Sequence, residues 1–280
     1  MTLAIDATTP VWANSTATVT TLTSASFSPP ANALLAVLWA NGQNSVGLSS
    51  ITDSISAVTW GVAAKASSLN STHEGAEVWL GQVGASAPGA LTVTSHFASN
   101  GSQAMGVVVI TGAAPMTAQT GQTQAVNNAA GTGLPSATIS ALSGSNSLVL
   151  AAIANGSNVT LPTIPAGQSD VFNGNTYAAA QTSAAGWAQY LTGINLAAGS
   201  SATINDTAPT INYSLAMLEI LVATPAVPVV TRFLPRNTIG RGLRNLGQMT
   251  QFVERQQVPA VAAAPVLGIP DLIMGPMSTG

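Results

Sequence analysis

Short segments that alternate apolar and polar residues recur along the first 224 positions of the chain. Residues 16–20, 24–28 and 91–94 alternate apolar side chains with Ser or Thr, a period of two that is typical of strands with one buried face. Residues 33–40 and 105–110 are instead continuous apolar runs of strand length, as expected for central strands that are buried on both faces. The pattern therefore predicts a body built of β-strands.

Turn-forming residues separate these segments, in keeping with turns every 8–12 residues or so in a β-sandwich. They include Pro29-Pro30 and the Asn-Gly pairs that begin at Asn41, Asn100 and Asn155. No stretch of the body sustains an apolar helical stripe over three turns. Frequent turns between short strands predict an all-β fold of antiparallel sandwiches of the jelly-roll type.

The chain also matches itself in order. Three matches carry the comparison: Leu34 with Leu148 at an offset of 114, residues 104–110 with 216–222 at 112, and residues 91–94 with 202–205 at 111. Ordered matches at a nearly constant offset predict an internal duplication. We therefore expect two tandem jelly-roll-like sandwiches, a first half at residues 1–115 and a second half at 116–224. The segment 116–135 should link them, and whether it also supplies the first strand of the second half stays open.

Residues 225–280 follow a different pattern. One helical face is predicted by apolar side chains spaced four, three, three and four residues apart, at Ile239, Leu243, Leu246, Met249 and Val253. Three glycines in this stretch would weaken the helix, by up to about 1 kcal/mol each, so it should need a surface to lie on. Prolines interrupt the apolar residues that follow. We expect an extended C-terminal docking arm that contains a short amphipathic helix.

Charge is scarce and unevenly placed. Charged residues make up 5% of the chain, against about 25% in an average soluble protein, while 46% hydrophobic residues can form a core. Residues 1–225 carry one base and seven acids, whereas residues 226–280 carry five arginines and two acids. The body surface should be neutral and hydrogen-bonding, which suits a protein that works inside a large assembly.

The arm carries a net positive charge that could contact a partner protein. The expected docking residues are its basic and apolar positions: Arg232, Arg236, Ile239, Arg241, Leu243, Arg244, Leu246, Met249, Phe252 and Val253. Five arginines could also bind nucleic acid, but they lack lysine companions and lie among apolar residues. We therefore expect protein partners and no nucleic acid. The apolar runs are too short to cross a bilayer, and the N-terminus lacks the basic and apolar regions of a secretory signal.

The sequence contains no catalytic or metal-binding signature. The absence of cysteine removes disulfides, thiolate ligands and a Cys nucleophile. His73 has Glu74 and Glu77 nearby, but a strong metal site needs ligands with a closer and defined geometry. Besides His73 only His96 could serve a Ser-His-acid triad. We expect no enzymatic activity, no metal and no cofactor, although carboxylates that converge in space for glycoside chemistry stay an open alternative.

Five tryptophans lie in or beside predicted strands, where packing is their expected role. Sugar stacking is the functional alternative. Trp79 is the best candidate for a glycan contact, because Glu77 lies two positions away in the alternation and should share its face.

The run Phe27-Ser-Pro-Pro-Ala-Asn-Ala-Leu-Leu-Ala-Val-Leu-Trp39-Ala-Asn-Gly42 resembles a segment common in structural proteins of tailed bacteriophages. Residues 75–80, 91–94 and 107–112 are similar to such proteins as well. The resemblance points to minor tail proteins of phages with GC-rich hosts, and it covers most of residues 10–223. It implies a virion β-sandwich protein that is present in many copies, and it carries over no functional residues.

These observations favour a virion structural protein over two other classes. The first choice is a minor tail protein, assembled in the host cytoplasm and held in the virion as a homo-oligomer by its C-terminal arm. A capsid decoration or head-spike protein is the close alternative. A carbohydrate-binding module or adhesin that uses Trp79 is the second class. An enzyme is the third, which the lack of a catalytic constellation disfavours.

Overall fold

The computed structural model describes residues 2–42, 46–67, 74–155, 162–171, 178–181, 184–191, 196–208 and 210–224. Within these residues the chain forms β-strands and one short 3₁₀ turn, Met116–Ala118, and no α-helix. The all-β prediction for the body is therefore confirmed. The strands are β1 (Ala4–Ile5), β2 (Ala13–Thr23), β3 (Leu34–Asn41), β4 (Leu48–Asp53), β5 (Val58–Ser67), β6 (Gly75–Val83), β7 (Val93–Thr111), β8 (Thr123–Gly133), β9 (Ser136–Ile139), β10 (Leu148–Asn155), β11 (Gln168–Asp170), β12 (Ala178–Gln181), β13 (Ala184–Leu191), β14 (Ala202–Asn205) and β15 (Ile211–Ile220).

The first half is a seven-stranded antiparallel sheet whose main path runs β1–β7–β3–β6–β5. The 19-residue strand β7 serves two layers. Its C-terminal part pairs with β3, and its N-terminal part pairs with β2 and β4. Side chains from both parts form one buried cluster. Its centre holds Trp39 and Phe97, whose ring centroids are 5.3 Å apart. This half is therefore a sandwich with its own core.

The second half has a six-stranded antiparallel sheet in the order β11–β13–β10–β15–β8, with β12 also paired to β13. The strands β9 and β14 form a separate two-stranded sheet. A buried cluster around Trp187 includes Ile204 of β14 and Met217 of β15. The small sheet thus covers one face of the larger one. The segment 116–135 does supply a strand to this half, because β8 pairs with β15.

The two halves place comparable strands in the same order. The strand β3 lies between β6 and β7, and β10 lies between β13 and β15; both are eight residues long and fully buried. Strand pairing aligns β7 and β15 differently from the sequence match, because Leu34 pairs with Ile110 and Leu148 pairs with Ile220. The offset between β7 and β15 is therefore 110 by strand pairing rather than the 112 taken from the sequence. A two-residue shift keeps every side chain on its face, so the apolar pattern cannot reveal it.

The two halves pack against each other through a shared core. The faces of β3 and β10 that point away from the two separate clusters join in a third cluster, which includes Leu38, Ala40, Leu150 and Leu218. Residues Met1–Ala226 form one compact unit. The predicted division into 1–115, 116–224 and 225–280 stays a prediction. The residues of the predicted arm and of its predicted helix lie outside the described residues.

Candidate functional site

The ten predicted docking residues, from Arg232 to Val253, all lie outside the described residues, as does His73. The described candidate is Trp79, on the rim of the first sandwich. Trp79 stands in a cross-strand row with Val37 of β3 and Val62 of β5. Val37 is fully buried, Trp79 is partly buried and Val62 is 56% exposed. The second layer of the sandwich therefore ends near Trp79.

The indole of Trp79 is held by Glu77. Its Nε1–H donates to Glu77 Oε2 at 2.7 Å, and the backbone N–H of Leu48 donates to Glu77 Oε1 at 3.2 Å. The two side chains share a face, as the alternation predicts. Glu77 is only 1% exposed, so its carboxylate holds the start of β4 and the tryptophan in place. The ring surface of Trp79, rather than its polar edge, is what a sugar could contact.

A second tryptophan lies on the same face of the sheet. The Trp60 ring covers Gly81, where a Cβ atom would come within 2.5 Å of the ring and within 2.6 Å of Val58 Cγ1. Both Trp60 and Trp79 pack at the edge of the buried cluster of the first half. The two rings thus form a half-buried apolar rim, which fits the packing role expected of the tryptophans and leaves the glycan contact a prediction.

Glu219 is a fully buried carboxylate that accepts four hydrogen bonds. Oε2 accepts from the backbone N–H groups of Gln122 and Ser143, each at 2.9 Å. Oε1 accepts from the N–H of Gly144 at 3.0 Å and the hydroxyl of Ser147 at 2.6 Å. Burial by itself would raise the pKa of Glu219, but these donors outweigh it and lower the pKa below its usual 4.5. Glu219 therefore ties two loops to the end of β15.

Asp206 is the second buried carboxyl of this half, at 1% exposed. The amide Nε2 of Gln189 donates a hydrogen bond to Asp206 Oδ1. Burial raises the pKa of Asp206 to about 7, against the opposing influence of the Gln189 amide and the Trp187 indole. The pKa of Asp206 therefore lies well above that of an ordinary aspartate.

Three described carboxylates, those of Glu77, Asp206 and Glu219, each accept hydrogen bonds from neutral donors. In the part of the chain that the structure describes, no three His, Cys, Asp or Glu residues are grouped to hold a metal ion. His96 contacts Thr52, with Nε2 and Oγ1 2.9 Å apart.

Two surface cavities of the described body are lined by few or no ionisable side chains. One of about 510 Å³ is lined by small, amide and apolar residues such as Asn32, Gln82 and Ala223, without an ionisable side chain. Another of about 370 Å³ has Asp6 and Tyr190 as its ionisable lining.

Sequence reasoning did not single out Glu219, and it considered Asp206 only as one of the acids that could converge for glycoside chemistry. Glu219 did carry a signal, because it interrupts an otherwise apolar run at residues 215–222, and a charge in a doubly buried strand must be paired. Asp206 carried no comparable signal, since its partner Gln189 comes from a different sheet.

Comparison with known proteins gives no relative. No family model, no curated protein and no solved structure matches this chain. Within the described residues, no helix is both long enough and apolar enough to cross a bilayer.

Proposed function

We propose that this chain is a virion structural protein of a tailed bacteriophage, with a minor tail protein as the first choice. The observation that carries the proposal is the contrast between a sparsely charged β-body and a basic, apolar C-terminal segment. A neutral hydrogen-bonding surface tolerates close packing among many copies. A segment that is both apolar and interrupted by prolines is best satisfied by binding another protein, where folding and binding are coupled.

The proposal includes an internal duplication into two jelly-roll-like sandwiches. Two features support it. The strands β3 and β10 have corresponding neighbours in their sheets, and a second pair of contacts corresponds between the halves. Phe27 bridges to Leu91 in the first half, and Ile139 pairs with Ala202 in the second, at offsets of 112 and 111. The same connectivity in two successive halves is what duplication of one ancestral sandwich would produce.

The arm is the proposed anchor, with a short helix around residues 239–253. Truncation after Thr224 should leave a soluble body that folds cooperatively and no longer enters particles, measured as its loss from purified virions. Ordering of the arm on its partner costs about 2–5 kcal/mol of the binding free energy. Several apolar contacts must offset this cost, so we expect Leu243, Leu246 and Met249 to be needed together. Their joint change to Ser should reproduce the truncation.

A matched control changes the polar positions Gln248, Thr250 and Gln251 to Ser in the same stretch, and these variants should assemble normally. Normal incorporation of the truncated protein would contradict the anchoring role. Equal loss in both sets of substitutions would also contradict it, because the apolar stripe would then have no special part.

A capsid decoration or head-spike protein is the alternative location for the same design. Antibody-gold labelling of purified particles, imaged in negative stain, separates the two. Label along the tail supports the minor tail protein, whereas label over the head supports decoration of the capsid.

The half-buried ring of Trp79 favours one further candidate, a glycan-binding module. The fixed indole would stack on a sugar without loss of side-chain freedom. Binding on a glycan array that is lost in Trp79→Ala and kept in Trp12→Ala would establish it.

Catalysis is not part of the proposal. We expect no hydrolysis of simple esters, peptides or glycosides, and turnover that Glu77→Gln abolishes would refute this expectation.

A further inference from the structure

Three buried polar side chains meet where the small sheet ends on the large one. Asp206 directly follows β14, while Trp187 and Gln189 lie on β13; all three are 0–1% exposed. Three of their polar atoms have no hydrogen-bond partner: Asp206 Oδ2, Gln189 Oε1 and Trp187 Nε1. The indole N–H of Trp187 also acts as a donor toward the carboxyl and lowers its pKa, although it makes no hydrogen bond within the usual distance and angle. Unpaired buried atoms are costly and call for an explanation.

The two unpaired oxygens belong to groups that are already joined on their other side, because Gln189 Nε2 donates to Asp206 Oδ1. A carboxylate and an amide oxygen are both acceptors and would repel each other. A protonated carboxyl has one O–H donor, which can close the second bond of a planar ring. A single proton on Oδ2 therefore satisfies both atoms.

The described strands around Asp206 supply no positive charge to stabilise its ionised form. The strands packed around it carry Tyr190 on β13, Asp170 on β11, and Tyr213 and Glu219 on β15, while β9, β10, β12 and β14 carry no ionisable side chain. No Lys, Arg or His lies on any of these strands. A buried carboxylate without a cation loses its proton reluctantly.

We propose that Asp206 and Gln189 form a neutral acid–amide pair that locks the β9–β14 sheet onto the second sandwich, and that loss of the Asp206 proton releases this lock. In the pair, Asp206 Oδ2–H donates to Gln189 Oε1 and Gln189 Nε2–H donates to Asp206 Oδ1. On deprotonation the first bond is lost and two acceptors face each other.

The lock acts where the small sheet is attached. The N–H of Asp206 donates to the carbonyl of Pro135, just before β9, at 2.9 Å. The preceding residue, Asn205, exchanges hydrogen bonds of 2.8 and 3.2 Å with Gln168 of β11. Opening at Asp206 would therefore loosen both strands of the small sheet and uncover the cluster around Trp187.

The sign of the pH effect follows from the raised pKa. The stabilising contribution of Asp206 is fully present below about 3.8, its ordinary value, and is lost as the pH rises through about 7. Between these values the opening constant of the β14 amides, from hydrogen exchange corrected for intrinsic rates, should rise by about tenfold per pH unit and then level off.

The full-length protein and Asp206→Asn test the proposal. The amide introduced by this substitution would offer an N–H donor in place of the acid proton, so the variant should keep the lock at every pH and lose the slope. Carboxyl ¹³C titration of the unsubstituted protein should give a midpoint near 7 for Asp206, which decides the matter even if the variant does not fold. A midpoint near 3.8 would overturn the proposal, because the carboxyl would then be ionised in the native protein.

Two further variants are matched controls. Gln168→Ala removes the neighbouring neutral pair with Asn205, so it should raise opening by a constant factor and keep the slope of the original protein. Asp170→Asn removes the other acid beside Gln189 and should also keep the slope. If Asp170→Asn loses the pH slope of the opening constant and Asp206→Asn keeps it, the titrating group is Asp170 rather than Asp206. That result would refute the lock.

Discussion

Glu219 shows how one side chain can hold a whole corner of the second half. Its two carboxylate oxygens accept four hydrogen bonds. In Glu219→Gln an NH₂ group replaces one oxygen and faces two donors. Hydrogen bonds to charged groups contribute about 1.5–3 kcal/mol, and buried donors without partners are costly. We expect Glu219→Gln to lower the free energy of unfolding by about 2–4 kcal/mol at pH 7, measured by urea denaturation.

The pH dependence of the same variant has a defined sign. Because the pKa of Glu219 is lowered in the folded state, its contribution is full above about 4.5 and is lost as the pH falls through the folded value. The difference between the two proteins should therefore shrink in acid. Asp53→Asn is the matched control, since Asp53 also accepts backbone N–H bonds but is only partly buried beside an exposed turn; it should cost less than about 1 kcal/mol. An equal loss would contradict the role of burial.

For single residues, the sequence predicts which side chains share a face of one strand, but it does not predict contacts between residues on different strands. The shared face of Glu77 and Trp79 follows from their spacing, because side chains alternate along a strand. The contact of Asp206 with Gln189 joins residues on different sheets, 17 positions apart. No local period connects them, so only the tertiary structure reveals this pair.

Among the elements, β13 and β3 pack with almost no side chain between them. A Cβ atom on Gly186 would lie 2.6 Å from Ala40 Cβ and 3.3 Å from Ala104 Cβ. These neighbours are short side chains on rigid strands, so the sheets would have to separate. We expect Gly186→Ala to destabilise the body by about 1–3 kcal/mol, as overpacking does, measured by urea denaturation.

Gly61→Ala is the control for the loss of a strand glycine. The nearest atom to its added Cβ is Met116 Sδ at 3.9 Å, an ordinary contact. Its effect should stay within about 0.5 kcal/mol. A Gly186→Ala variant as stable as Gly61→Ala would show that the sheets can part freely.

Strand positions were predictable because each run carries its own apolar pattern, as β3 and β10 illustrate. The register between strands was not, because a shift by two residues leaves the pattern unchanged. Nor does the pattern reveal that β7 belongs to two layers, since both of its parts pair as ordinary antiparallel strands. The arm residues stay predictions.

For the whole molecule, the sequence indicated that residues 33–40 are buried on both faces but not what covers each face. One face of β3 packs inside its own sandwich, and the other packs against the second half. A fully apolar strand is compatible with either a central strand of one domain or a strand at a junction between two. Composition cannot separate these arrangements.

The shared core predicts that the halves depend on each other. Residues 1–115 alone would expose Leu34, Leu38 and Ile110, and residues 116–224 alone would expose Leu150 and Leu218. Contiguous apolar faces of this kind lead to aggregation, so each fragment should be insoluble or lack a cooperative transition. Residues 1–224 as one continuous chain should melt in one calorimetric transition, with calorimetric and van't Hoff enthalpies that agree.

The two fragments, when co-expressed, should combine into a soluble pair, because the contacts of the core do not need the connecting peptide bond. Two separate transitions in the uncut chain, or a fragment that melts cooperatively by itself, would show that each sandwich is an independent domain despite the buried face between them.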